Sequence, residues 1–270
     1  MSKQITTKIV DITPTVAKDI LAKNNHNRPI SSGTVSSYSR MMKDGKWNFN
    51  GENIIIAEDG SLLDGQHRLH AIINSSTTQK MVVVSGVERS AFSTIDIGKK
   101  RSVGDALATY DEKYRKSAAI IGAAVITIMQ FDENYAFDEK ARGKKPSHDE
   151  VIDWVNKNRG ILRSVDLVSH LHGAKKLVPY SALCAIHYLM SKRDINKCEL
   201  YFNKLNSGEN LKIGDPIMTL RNKLIEIRYA GGIFRTREVM PYLLKAWEAM
   251  RKEKTMERMR IDADYIPTVI

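Results

Sequence analysis

LLDGQHRLHAI, residues 62–72, is the stretch on which the fold of this chain turns. An apolar pair runs into Asp64-Gly65, then Gln66, His67 and Arg68 come together, and apolar helical spacing resumes at Leu69. The pattern predicts a short strand that turns sharply at Gly65 into a helix starting at Gln66. A helix start presents backbone N–H groups and the positive end of the helix dipole. Glycine there tolerates a positive φ and lets the backbone approach a ligand closely. Arg68 and His67, in the first turn, are placed to add charge-assisted hydrogen bonds to phosphate oxygens. Asp64, at the strand end, suits a Mg2+ ion or the orientation of His67. These are the parts of a phosphate cradle. The same spacing also describes a structural corner in which Asp64 caps the helix and pairs with Arg68, and spacing alone leaves both open.

Upstream, NIIIA (53–57) and SLLD (61–64) flank the turn signal EDG and predict a hairpin. Thr13-Pro14 predicts a helix start, and a second helix is expected over residues 31–45, with Val35, Tyr38, Met41 and Met42 on one face and Gly45 as its stop. KMVVVSGV (80–87) reads as a strand, buried on both faces if its run of valines is taken literally. From about residue 112 the texture is almost purely helical, with segments at 113–130, 147–171, 181–190, 195–205, 215–228 and 237–254. Ser147 before Asp149-Glu150, and Asp215-Pro216, are helix starts. The expected fold class is α+β: a small mixed N-terminal domain over residues 1–110, then an all-helical C-terminal domain over 111–270.

The 270 residues carry a net charge of +11, with 42% hydrophobic and 27% charged residues. That excess favours a polyanionic partner, nucleic acid first and a phosphorylated ligand second. No apolar run reaches the ~18 residues of a membrane span, and the first residues lack the apolar centre of a secretory signal. The two cysteines, Cys184 and Cys198, have no companions at metal-ligand spacing and imply no disulfide framework, so the expected compartment is a reducing cytoplasm.

A second constellation is DIGKKRSVGDAL, residues 96–107. Lys99, Lys100 and Arg101 precede Ser102, which suits the cap of a following helix; three cations there fit a phosphate chain or a nucleic-acid backbone, or simply a solvated turn. Asp96 suits a metal shared with Asp64, or a pair with Lys99. Lys144 and Lys145, in ARGKKPS, and Arg235 and Arg237, in RYAGGIFRTRE, are candidate nucleic-acid contacts. In the second segment a glycine hinge and Phe234 suit stacking on single strands, while a plain inter-helix turn is the simpler reading. His170, His172 and His187 lack ligand spacing, and Trp47, Trp154 and Trp247 sit in apolar patterns; all read as structural. The chain carries no Gly-Lys-Ser/Thr phosphate loop, dinucleotide fingerprint, zinc-protease helix or serine-hydrolase elbow.

SLLDGQHRLHAI resembles the signature of the ParB/sulfiredoxin-like superfamily, including its DGQHR-type members, and GKWNFNGENIIIAEDG before it resembles the strand and turn of that family. AFSTIDIGKKRSVGDAL and LLKAWEAMRKEK resemble a branch common in phages and mobile elements. The specific motifs cover residues 30–107; the helical remainder is only loosely similar. The resemblance implies a ParB/sulfiredoxin-like first domain and nucleotide binding, with Gly65, His67 and Arg68 at positions that contact nucleotide phosphates. Gln66 stands where sulfiredoxins carry their reactive cysteine, so that chemistry is not expected. ParB proteins have an acid at the Gln66 position, and no helix-turn-helix follows here. Asp64-Gly65-Gln66-His67-Arg68 is closer to the Asp-Gly-His-His-Arg of kinase-like members, whose N-terminal glutamate base would correspond to Glu52, with Glu58 as the alternative.

The expectation is therefore an NTP-dependent phosphotransferase or NTPase, using ATP or CTP with Mg2+, acting on or with DNA rather than RNA. Asp64, His67 and Glu52 would be catalytic, with Asp64 on the metal; Gly65, Gln66, Arg68, Lys99, Lys100, Arg101 and Ser102 would face phosphates. The other reading is a non-catalytic DNA-binding module whose helical half supplies a basic face or a homodimer interface; a metal-dependent nuclease ranks last. Phosphate binding alone requires neither Asp64 nor Glu52, whereas phosphoryl transfer needs acids in those roles.

Overall fold

The computed structural model describes residues 4–24, 27, 29–95, 101–132, 146–232, 235–261 and 269, with the backbone alone at Arg237. The chain divides into two compact units between residues 100 and 101.

The first unit runs β1 (Thr6–Ile12), α1 (Pro14–Leu21), α2 (Ser32–Lys43), β2 (Asn53–Ala57), β3 (Leu62–Asp64), α3 (Gln66–Ser75) and β4 (Gln79–Val87), followed by a 3-10 turn at Arg89–Thr94. The sheet order is β1-β4-β2-β3. β4 lies antiparallel to β1 and parallel to β2, and β2 and β3 form the antiparallel hairpin. Thr13 caps α1, its side chain accepting from the Val16 N–H at 3.2 Å, with Pro14 at the first helical position. Gly45, at φ 67°, follows the end of α2. α3 packs on α1 and α2, and one face of the sheet supplies the other side of the core. Ile12, Ile54, Leu69, Ile72 and Met81 are fully buried there; each such side chain contributes about 1.5–3 kcal/mol relative to exposure.

Two features of this unit differ from expectation. β1, TTKIVDI, is an edge strand with only Ile12 buried, so it lacks the apolar run that marks a strand in sequence. β4 is not buried on both faces: Met81 alone is buried, and Val82 to Val87 are half-covered. Its valines serve a central strand with one packed face.

The second unit comprises α4 (Val103–Tyr110), α5 (Ala118–Asp132), α6 (His148–Lys157), α7 (Gly160–Ser169), α8 (His172–Leu177), α9 (Tyr180–Ser191), α10 (Ile195–Ser207), α11 (Pro216–Tyr229) and α12 (Thr236–Arg251). α9 is the central rod: every residue from Ala182 to Met190 is buried, and α5, α7, α10 and α12 all pack on it. The stretch 147–171 forms two helices, broken where Asn158 leaves helical geometry at φ −126°, ψ 53°. α4 belongs to this unit because Val103 and Leu107 sit in the helical core, which moves the division from residue 110 to residue 100. Among the described residues no helix is long and apolar enough to cross a membrane.

Candidate functional site

The corner is built by an irregularity in the hairpin. Ile55 pairs with Asp64 and Ile56 with Leu62, so Leu63 is an extra residue on β3. The bulge lets consecutive Leu62 and Leu63 both be buried, which the alternation of a regular strand forbids. Gly65 then turns the chain at φ 106° and occupies the N-cap of α3, where no side-chain cap forms. A Cβ on Gly65 would stand 2.4 Å from Cδ1 of Ile54. The position therefore needs glycine twice over, for its φ and for its closeness to β2.

Arg68, one turn into α3, reaches back across the corner. Its Nη1 donates to Glu52 Oε2 at 3.1 Å, and its Nη2 donates to Asp64 Oδ2 at 2.8 Å and to the Asn53 carbonyl at 2.5 Å. The arginine side chain is 11% exposed, against 32% for Asp64 and 60% for Glu52. The Asp64 pair is thus the less screened, while the Glu52 pair is worth at most about 1 kcal/mol. Nε of Arg68 is buried without a hydrogen-bond partner. The structure thus brings Glu52, Asp64 and Arg68 together, each carboxylate giving the guanidinium one oxygen. Asp64 pairs with Arg68 and does not cap the helix.

His67 Nε2 accepts the Ser31 N–H at 3.0 Å, so the neutral ring carries its proton on Nδ1. Ser31 is the N-cap of α2, and the contact ties the starts of the two helices together. Gln66 is buried; its Oε1 accepts from Asn24 Nδ2 at 3.2 Å. Asn27 Nδ2 donates to Asn24 Oδ1 at 2.6 Å and to the Leu62 carbonyl at 2.8 Å. Asn24, Asn27 and Ser31 are thus corner residues that motif reading missed. Their signal was the asparagine-rich stretch after α1, which carries no spacing rule of its own.

Beside the corner, the β2–β3 turn is held by Asp59. The Ser61 hydroxyl and N–H, with the Arg89 guanidinium, bring the Asp59 carboxyl down to about 2. Glu58, the alternative to Glu52, lies in this turn, away from Arg68's three acceptors. A cavity of about 150 Å3 opens nearby, lined by Ser61, Leu62, Leu63, Arg89 and Phe92. None of the corner residues from Asp64 to Arg68 lines it, and it is smaller than the ~300 Å3 at which ligand pockets begin.

The remaining sequence candidates lie elsewhere. Asp96, Lys99, Lys100, Lys144 and Lys145 fall outside the described residues. Arg101 and Ser102 open the second unit. Ser102 caps α4 in a capping box: its hydroxyl accepts the Asp105 N–H at 3.1 Å, and Asp105 Oδ2 accepts the Ser102 N–H at 2.8 Å. The Ser102 hydroxyl is accordingly spent on the helix. Arg235 is exposed at the start of α12, and the Arg237 side chain lies outside the described residues. His187, expected to be a core residue, is buried, with Nδ1 2.9 Å from the Ser164 hydroxyl and its ring edge-on to Phe202. Among the described residues no group of three or more His, Cys, Asp or Glu is placed to hold a metal ion. No family model, no curated protein and no solved structure matches the chain.

Proposed function

We propose that the Asp64–Arg68 corner binds the phosphate chain of a nucleoside triphosphate, ATP or CTP, with Mg2+, in a protein that hydrolyses the nucleotide or transfers its phosphoryl group while acting on or with DNA. The supporting observation is the pair of carboxylates, Glu52 and Asp64, held on one guanidinium at an uncapped, glycine-started helix. A plain anion site is served by N–H groups and cations; two acids at its edge are what a Mg2+–phosphate complex adds. The donor set fits that ion, which takes one or two carboxylates and fills its remaining positions with water and phosphate oxygens. When bound, Mg2+ neutralises charge on the phosphates.

In this reading Asp64 is the metal-side carboxylate. Glu52, the more exposed acid, accepts the proton of the attacking hydroxyl or water. Arg68 fixes the spacing of the two acids, and the first-turn N–H groups orient phosphate oxygens. His67, through Ser31, keeps the start of α2 against the site.

One observation favours the second reading, a nucleic-acid-binding module without catalysis. The guanidinium meant for phosphate is buried and already engaged by three acceptors. Isothermal titration of ATP and CTP, with and without Mg2+, on wild type and Asp64→Asn separates the two. Saturable Mg2+-dependent binding that is lost in Asp64→Asn supports the nucleotide site. Absence of binding by folded wild-type protein overturns it in favour of the module.

A further inference from the structure

The rim of the helical unit formed by the ends of α8 and α11 and the starts of α9 and α12 carries an aromatic residue that its packing does not use. Tyr229, the last residue of α11, is 90% exposed. In the same unit Tyr114 and Tyr201 are fully buried in the core. The chain segments of the rim are joined by specific contacts: Arg228 Nε donates to the Leu177 carbonyl at 3.4 Å, and the hydroxyls of Ser181 and Thr236 lie 3.4 Å apart. Lys176, next to Leu177, Arg228, next to Tyr229, and Arg235, next to Thr236, are all exposed on these rim segments. Lys175 is folded back, its Nζ on the Ser169 carbonyl and 5.2 Å from the Tyr180 ring centroid.

Along the rim's own chain segments the charge is one-sided, with Asp166 of α7 an acid near Tyr180. Residues 172–181 contain no acid, and residues 223–238 contain only Glu226 and Glu238. Both are engaged locally: Glu226 accepts from Lys223 Nζ at 2.9 Å, and Glu238 accepts the Arg235 N–H at 3.2 Å. An exposed ring among uncompensated cations is the combination that binds a chain of phosphates carrying unstacked bases. A duplex would offer the phosphates but keep its base faces inside the stack.

We infer that this rim binds single-stranded nucleic acid, with Tyr229 as a stacking platform for a base and Lys176, Arg228 and Arg235 along the phosphates. The inference goes beyond the nucleotide corner and stands without it.

The test is fluorescence anisotropy of the full chain with labelled oligo(dT) and oligo(U) of about 12 nucleotides, a length within the range of single-strand sites, against a duplex of equal length. The expected result is tighter binding of the single strands. Tyr229→Ala weakens binding by about tenfold, equivalent to ~1.4 kcal/mol, and Tyr229→Phe, which keeps the ring, binds as wild type. Lys176→Gln lowers the slope of log affinity against log salt by about 0.7, the loss of one phosphate contact. Comparison of the two oligonucleotides tells whether the strand is DNA or RNA. The inference is overturned if neither oligonucleotide binds, if the duplex binds as well as the single strand, or if Tyr229→Ala binds unchanged. Tyr229-dependent binding to phosphatidylserine vesicles without oligonucleotide binding would equally overturn it, in favour of a membrane surface.

Discussion

Gly65 is the residue on which the corner depends. With φ at 106° and Ile54 packed against its Cα, Gly65→Ala must both strain the backbone and displace a buried side chain. The expected cost is about 2 kcal/mol or more, read from urea denaturation as a lower midpoint at unchanged slope. Arg68 and Glu52 make a contrasting pair. Arg68→Ala removes the hydrogen bonds of a buried guanidinium to three acceptors and leaves Asp64 without its partner, so about 2 kcal/mol of destabilisation is expected. Glu52→Gln should stay within about 0.5 kcal/mol of wild type in the same denaturation series, because its carboxylate faces solvent. If Glu52→Gln unfolded the protein as readily as Arg68→Ala, the acid would be a structural member of the corner and not one held ready at its edge. Asp64, Gly65 and Arg68 could be singled out from sequence because turn, helix start and charge lie within one turn of chain. The partner of His67 could not: Ser31 is 36 residues away.

At the scale of elements, the helix starts are the most local signals and the most reliably read. Thr13, Ser102, Ser147 and Asp215 all cap the helices expected of them. Asp215 does more than sequence suggests. Its Oδ1 accepts the Ile217 N–H at 2.8 Å, and its Oδ2 accepts Lys204 Nζ at 2.6 Å, fastening α11 to α10. Asp215→Ala should cost about 1–2 kcal/mol, seen as a reduced melting temperature, whereas Asp215→Asn keeps the cap and should lose less. β1 and the β3 bulge lie at the other extreme. An exposed edge strand has no two-residue apolar alternation to betray it. A bulge is a property of the pairing between two strands, so neither strand carries it alone.

For the whole molecule, the buried polar and thiol groups of the helical unit set its response to solution conditions. Burial, helped by Arg163, pushes His187 down to about 4. An unfolded histidine titrates near 6.5, so between those values the unfolded chain binds the proton and the native one does not. Stability is fully present above about pH 6.5 and falls as pH drops toward 4, by at most about 3 kcal/mol from this residue. Denaturation midpoints at pH 7 and pH 5 check the sign, and His187→Gln should flatten the difference. Cys184 and Cys198 are buried, and desolvation pushes both thiols up to about 12. Neither should react with a thiol reagent in the native protein, and both should react at once in guanidinium, reporting opening of the helical core.

The sequence alone determined the kinds and order of most elements: the hairpin, the glycine turn into α3, the capped helices and the change to all-helical texture beyond residue 112. These follow from periods, caps and turn residues that act over a few positions. Tertiary structure decided what the charges at the corner do. Only the approach of Glu52 and the Asn53 carbonyl to the end of β3 commits Arg68 to three internal acceptors, and only tertiary packing sets Asn24 and Ser31 against α3 and Asn27 against β3. Those partners lie between 15 and 42 residues from the side chains they meet, and a contact over that separation is set by packing, which no local pattern encodes.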